Sequence, residues 1–258
     1  MGFIEETKKP EPQGQQPFSF DFSEEKDEGK ETYVIFGLKG STKTSTALSF
    51  PGKILALSFD NKTTIVKNNF FQGNERIKVF NATKYLIESA EDYLDSSVKT
   101  YDYIIAILEK VGKEFKPDFI LFDCAEIMTT VCEMVMRKNN NVSAYGGIVN
   151  RNIWKQRKAL LTNIHRKALD ICNKGLIYTL YINKDEIVEE GEIKTKADVP
   201  AWTGIIMYET DFVIKTELKY SKEKGKQCLA HIVSSKNDNK LKTGTTIDIT
   251  DFKNKLLK

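Results

Sequence analysis

The chain has 258 residues, enough for one large α/β domain or one domain with a tail, and its 40% hydrophobic content supports a sizeable core. Basic and acidic side chains nearly balance, 39 against 36, so the net charge of +3 neither demands nor excludes nucleic acid. No apolar run is long enough for a membrane span, and the cysteines at 124, 132, 172 and 228 lack the paired spacing of a zinc site, which fits buried, reduced thiols.

Residues 1–30 are rich in Glu, Lys, Gln and Pro and predict a disordered tail, with the folded domain spanning 31–258. Within the tail, Phe18, Phe20 and Phe22 alternate, as a strand added to a sheet edge requires. The domain opens with a predicted strand at 32–36, a glycine-containing loop and a short helix at about 43–49. A turn at Pro51-Gly52 leads to strands at 53–59 and 77–80, then helical patterns at about 84–96 and 100–113. The most apolar strand, 118–122, ends at Asp123. A helix at about 126–138, a polar stretch at 138–147 and a long helix at about 150–173 follow. Then come a strand at 176–182, a charged loop to about 200, and strand-like segments at 211–218, 228–234 and 246–249. Strands alternating with helices predict a mainly parallel α/β sheet flanked by helices, and the closely spaced last strands predict an antiparallel C-terminal extension.

Gly37-Leu38-Lys39-Gly40-Ser41-Thr42-Lys43-Thr44 lies between a predicted strand and helix and meets the phosphate-loop pattern at Gly37, Lys43 and Thr44. Main-chain amides from Gly37 to Ser45 would cradle a polyphosphate, Lys43 would neutralise its outer oxygens, and the Thr44 hydroxyl would hold Mg²⁺. Thr42 departs from the pattern, which has glycine there. A residue with a Cβ in a left-handed conformation costs about 1–2 kcal/mol, or about tenfold in affinity if the whole cost falls on the bound state. Asp123, ending an apolar strand, has the form of a Walker B aspartate that binds Mg²⁺ through water; as a plain structural residue it would end the strand or cap the next helix.

The order of these segments, with Pro51–Asp60 and Lys116–Asp123, resembles the RecA-like P-loop ATPases of viruses and archaea, including the small phage-type single-strand-annealing ATPases. The resemblance covers about 31–250 and continues through Asn152-Ile-Trp154, Gly175–Asn183 and Val233–Asn237. It implies ATP and Mg²⁺ as cofactors, a homo-oligomeric ring or filament, single-stranded DNA as partner and a cytoplasmic location (the host cytoplasm for a viral protein). Because this family polymerises by docking a linker phenylalanine onto a neighbour, it also gives the Phe18–Phe22 motif a role. Asp60 falls where these ATPases keep a glutamate that polarises the attacking water; being one methylene shorter, it leaves Glu126 as a fallback. Asn183 resembles the residue that senses the γ-phosphate, and Lys236 the region that presents a lysine to the neighbour's ATP. The ParA-like pattern fails, because its extra lysine would fall on Leu38.

The family's two DNA loops correspond to about 137–151 and 184–202. The first offers Arg137, Lys138, Tyr145 and Arg151, with Lys155 on the helix beyond; the second is too acidic to favour phosphate. A basic helix face is also what any solvated helix shows. The sequence thus points to an ATPase acting on DNA in recombination, repair or replication. Alternatives are a catalytically weak or inactive nucleotide-binding core with a structural or DNA-coating role, and a small-molecule kinase.

Overall fold

The alternation in β1 (Glu31–Gly37) dictates a sheet covered on both faces. Val34 and Phe36 enter one apolar cluster and Tyr33 and Ile35 another, and all four are buried. The computed structural model describes residues 29–258 except 90, 190–191, 202–203, 224, 253–255 and 257–258. The expected tail motif at Phe18, Phe20 and Phe22 lies outside the described residues.

Beyond β1, the short helix α1 (Lys43–Leu48) leads to β2 (Ile54–Ser58), α2 (Thr63–Phe70) and β3 (Ile77–Asn81). A long helical rod follows: α3 (Tyr93–Ala106), a π-helical stretch at Ile107–Gly112, and α4 (Lys113–Phe115). β4 (Phe119–Asp123) then precedes α5 (Ala125–Asn139) and α6 (Trp154–Ile171). The remainder is β5 (Gly175–Glu189), β6 (Glu192–Pro200), α7 (Gly204–Tyr208), β7 (Phe212–Ser221), β8 (Gly225–Ser235) and β9 (Thr246–Asp248).

The strand order is β3-β2-β4-β5-β1-β7-β8-β9. Pairings from β3 through β7 are parallel, and those of β7 with β8 and β8 with β9 are antiparallel. The protein is therefore a mixed α/β structure with a mainly parallel central sheet flanked by helices and antiparallel strands at its C-terminal end. Residues of α3, α5 and α6 pack on one face, and α1 with Leu241, Ile249 and Leu256 on the other. All four cysteines are buried and unpaired. Among the described residues, no helix is long and apolar enough to cross a membrane.

Three sequence expectations need correction. The 84–96 helix is absent: 82–85 form turns, and helix starts only at Tyr93. α2 was not anticipated, since the polar run Asn61–Asn69 offers only Ile65 and Val66 as apolar positions. The strand expected to end at Ile182 runs on to Glu189 and pairs antiparallel with β6 from Ile182↔Pro200 onward, so most of the expected charged loop is a ribbon. The charged run Lys184-Asp185-Glu186 interrupts the apolar pattern of β5, so its continuation carries no strand periodicity.

Where β1 and β5 pair, Gly175 comes so close to the neighbouring chain that a Cβ would lie 1.9 Å from the Glu31 carbonyl oxygen. Under the sheet, the buried His165 shares a 2.8 Å hydrogen bond between its Nδ1 and the Tyr178 hydroxyl, while its Nε2 has no partner among the described residues. Burial lowers the pKa of His165 below its ordinary 6.5. The neutral ring is thus the folded form, and its contribution to stability is present above about pH 6.5 and lost as pH falls below it, when the unfolded chain takes up a proton. Urea unfolding at about pH 7.5 and about pH 5.5 should show wild type losing more stability than His165→Gln across that interval.

Candidate nucleotide site

The segment between β1 and α1 turns tightly because two of its positions tolerate little else. At Gly37 a Cβ would lie 2.5 Å from both Ser41 Oγ and the Thr216 carbonyl oxygen, and Gly40 has φ 81°. Ser41 Oγ lies 3.0 Å from Thr216 Oγ1, which ties the turn to β7. Leu38 stands out in solvent, 65% exposed. The first turn of α1 closes with the Thr46 N–H donating to the Thr42 carbonyl, so the amides of Lys43, Thr44 and Ser45 precede the first intrahelical bond.

Lys43 is buried, and its Nζ donates to the Gly37 and Leu38 carbonyls, both at 2.9 Å, while lying 4.9 Å from the centre of the Tyr181 ring. Burial lowers its pKa, with Glu126, Asp123 and Asp60 opposing the shift. An ammonium resting on carbonyl oxygens inside its own loop is in place to exchange them for phosphate oxygens.

Asp123 is 1% exposed. Its Oδ1 accepts hydroxyl protons from Thr44 at 3.0 Å and Thr179 at 2.6 Å, and its Oδ2 accepts from Thr63 at 2.6 Å, with the Thr44 hydroxyl also 3.1 Å away. Burial pushes its pKa up, and the three hydroxyls pull it back. Thr179 also accepts from the Cys124 N–H at 2.9 Å. This bridge is needed because β4 does not adjoin β1; β5, carrying Thr179, lies between them. A Thr44 hydroxyl that donates to Asp123 keeps its lone pairs for a cation, the donor set Mg²⁺ takes beside phosphate oxygens and water.

A cavity of about 550 Å³ spreads from the loop residues Lys39–Ser45 past Asp60 and Lys62 to Val66, Phe70, Lys226 and Phe252, with Cys124 and Tyr181 on its wall. Asp60 lines this space; its carboxylate accepts from the Lys62 N–H at 3.0 Å and lies 3.9 Å from the Lys62 ammonium. Glu126 does not line it: its carboxylate accepts from the Tyr181 N–H, and burial raises its pKa.

The remaining expected residues are dispersed. Asn183 is exposed inside β5 rather than at its end, its side chain accepting from the Lys184 N–H at 2.9 Å. Lys236 sits at the opposite end of the sheet from the loop, paired with Asp211 at 2.9 Å, and Asp211 in turn accepts from the Thr32 N–H at the start of β1. Arg137 is held by Glu133 at 2.9 Å and by the Ser143 and Gly146 carbonyls, and Lys138 pairs with Asp95 at 2.7 Å. Tyr145, Arg151 and Lys155 are exposed.

The sequence reading missed Thr63, Thr179, Lys226 and the cavity aromatics. Only Thr179 left a signal, as a hydroxyl inside an otherwise apolar strand that must find a buried partner.

No model of a known family matches the chain, and no curated protein matches it. Among solved structures, the crystal structure of the RadB recombinase is similar over 86% of this chain and 88% of that one, at 12% identity and a TM-score of 0.42. So distant a likeness carries no weight for function, which is judged from the geometry above.

Thr42 occupies φ 72°, ψ 16°, the left-handed region where the phosphate-loop pattern has glycine. This conformation belongs to the loop as it is folded, so its cost is carried by the fold. Thr42→Gly should therefore raise unfolding stability by about 0.5–1 kcal/mol, net of the glycine's greater unfolded-state freedom. ATP affinity should change by less than about threefold. Urea titration together with calorimetric binding checks both; a tenfold affinity gain without stabilisation would place the cost on the bound state.

Proposed function

We propose that the chain is a RecA-like ATPase whose Gly37–Ser45 loop binds the phosphates of ATP and that works on single-stranded DNA as a homo-oligomer. The observation that carries the nucleotide reading is the Thr44 hydroxyl on the Asp123 carboxylate, with the Lys43 ammonium held in the adjoining turn. In this reading Thr44 and Asp123 would hold Mg²⁺, which supplies charge neutralisation for the phosphates. Lys43 leaves its carbonyl partners for the outer phosphate oxygens, and Asp60 accepts the proton of the attacking water from its place on the cavity wall. Glu126, tied to the Tyr181 amide, fits a positioning role better than that of a base.

The DNA part of the proposal draws on the order of sequence segments and on the exposed Tyr145, Arg151 and Lys155. Arg137 and Lys138 contribute less than expected, since both are engaged within the chain. Lys236, remote from its own loop, can act only toward a neighbouring copy. A second reading, a core that binds nucleotide but barely hydrolyses it, is favoured by one observation: the Asp60 carboxylate is turned to Lys62.

Lys43→Ala should lower MgATP affinity by at least about a hundredfold, consistent with losing a buried charge contact of about 3 kcal/mol. Asp60→Ala should leave affinity within about threefold and cut steady-state hydrolysis by roughly 10²–10⁴. Unchanged affinity in Lys43→Ala refutes the site. Wild-type hydrolysis at background, with and without single-stranded DNA, selects the second reading.

A further inference from the structure

The cavity that begins at the phosphate loop has an apolar end. α2 connects the two ends: Thr63, in its first turn, donates to Asp123, and Val66 and Phe70 line the cavity further along the helix. Positions 63, 66 and 70 share one helix face, and seven residues of rise set Phe70 about 10 Å from Thr63 along the axis. That offset suits the reach from an outer phosphate, across a ribose, to a nucleobase. Phe70 is 52% exposed for so large an apolar ring. It meets Phe252 edge-on, with ring centres 5.0 Å apart and planes at 62°, and Phe252 is held there by a left-handed backbone at φ 48° and an N–H donated to the Ile249 carbonyl. The rings are too close to admit a base between them, but together they form an apolar corner of the cavity.

We propose that this corner, with Lys226 beside it, is the nucleobase site, and that it accepts purine nucleoside triphosphates with little discrimination between adenine and guanine. The proposal rests on the phosphate-loop reading and adds what the loop cannot supply, the choice of base. Stacking on a phenyl ring is indifferent to the pattern of donors and acceptors on a base, and it favours the larger purine face. Strong discrimination requires side chains that pair with a particular edge. Of Val66, Phe70, Phe252 and Lys226, only Lys226 has a polar side chain; it can only donate, and adenine and guanine both present the N7 acceptor. Asp60 and Lys62 lie at the start of α2, beside the carboxylate end.

Calorimetric titration of the full chain with MgATP, MgGTP, MgCTP and magnesium tripolyphosphate tests this, for wild type, Phe70→Ala, Phe70→Leu and Phe252→Leu. The leucine variants keep apolar bulk, so a variant with a wild-type melting curve reports the ring alone. Wild type should bind ATP and GTP within about threefold of each other and CTP more weakly. Loss of the Phe70 ring should cost about tenfold in affinity for ATP and leave tripolyphosphate affinity unchanged. Equal binding of ATP by wild type and both leucine variants, or an ATP-to-GTP ratio above about thirtyfold, overturns the base site while the loop reading stands. Failure of wild type to bind even tripolyphosphate overturns both.

Discussion

A carboxylate taken fully out of water must be met by donors, and in this protein Asp123 is met by three hydroxyls from three different elements. Thr44 belongs to the helix after the phosphate loop, Thr63 to α2, and Thr179 to the strand between β4 and β1. The hydroxyls offset the desolvation that drives the Asp123 pKa upward, and in doing so they fix the loop, the cavity wall and the sheet relative to one another. Loss of any one donor would leave the carboxylate under-satisfied and loosen the element carrying that donor. This mutual dependence makes the loop, the cavity wall and the sheet one hydrogen-bonded unit.

Charge is distributed accordingly. Lys43 is buried beside Tyr181, and its partners are carbonyls of its own turn, so no acidic side chain has to be displaced when an anion enters. Burial lowers the Lys43 pKa, and Cys124, Glu126 and Asp123 oppose part of that shift from a distance. Tyr181 stands where β5 leaves the parallel sheet for its ribbon with β6, bound through its N–H to Glu126 and through its ring to Lys43.

Much of this was legible from residues alone, for identifiable reasons. The parallel core could be read because its strands are short, apolar and bounded by glycine, proline or aspartate; the Gly37–Ser45 turn because it carries glycines between a strand and a helix; and Asp123 because a carboxylate ending an apolar strand is conspicuous. What escaped was information held only in three dimensions. α2 has a polar sequence and takes its importance from Thr63 reaching a carboxylate sixty residues away. The continuation of β5 opens with the charged run Lys184-Asp185-Glu186, which hides the strand from a reading by apolar pattern. Phe70, Lys226 and Phe252 come from three distant segments, and nothing local to any of them marks a cavity. Arg137 looked free for a ligand, but the loop it braces takes up its donors.

The central claim is that Asp123 and Thr44 together form the cation half of a nucleotide site. It is tested most directly by the Mg²⁺ dependence of ATP affinity in wild type and Asp123→Asn, measured by titration with the ion present and with it chelated. The account predicts that Mg²⁺ strengthens ATP binding by about tenfold or more in wild type and has almost no effect in the variant, both compared at a temperature where each protein is folded. An equal Mg²⁺ effect in the two proteins would contradict it.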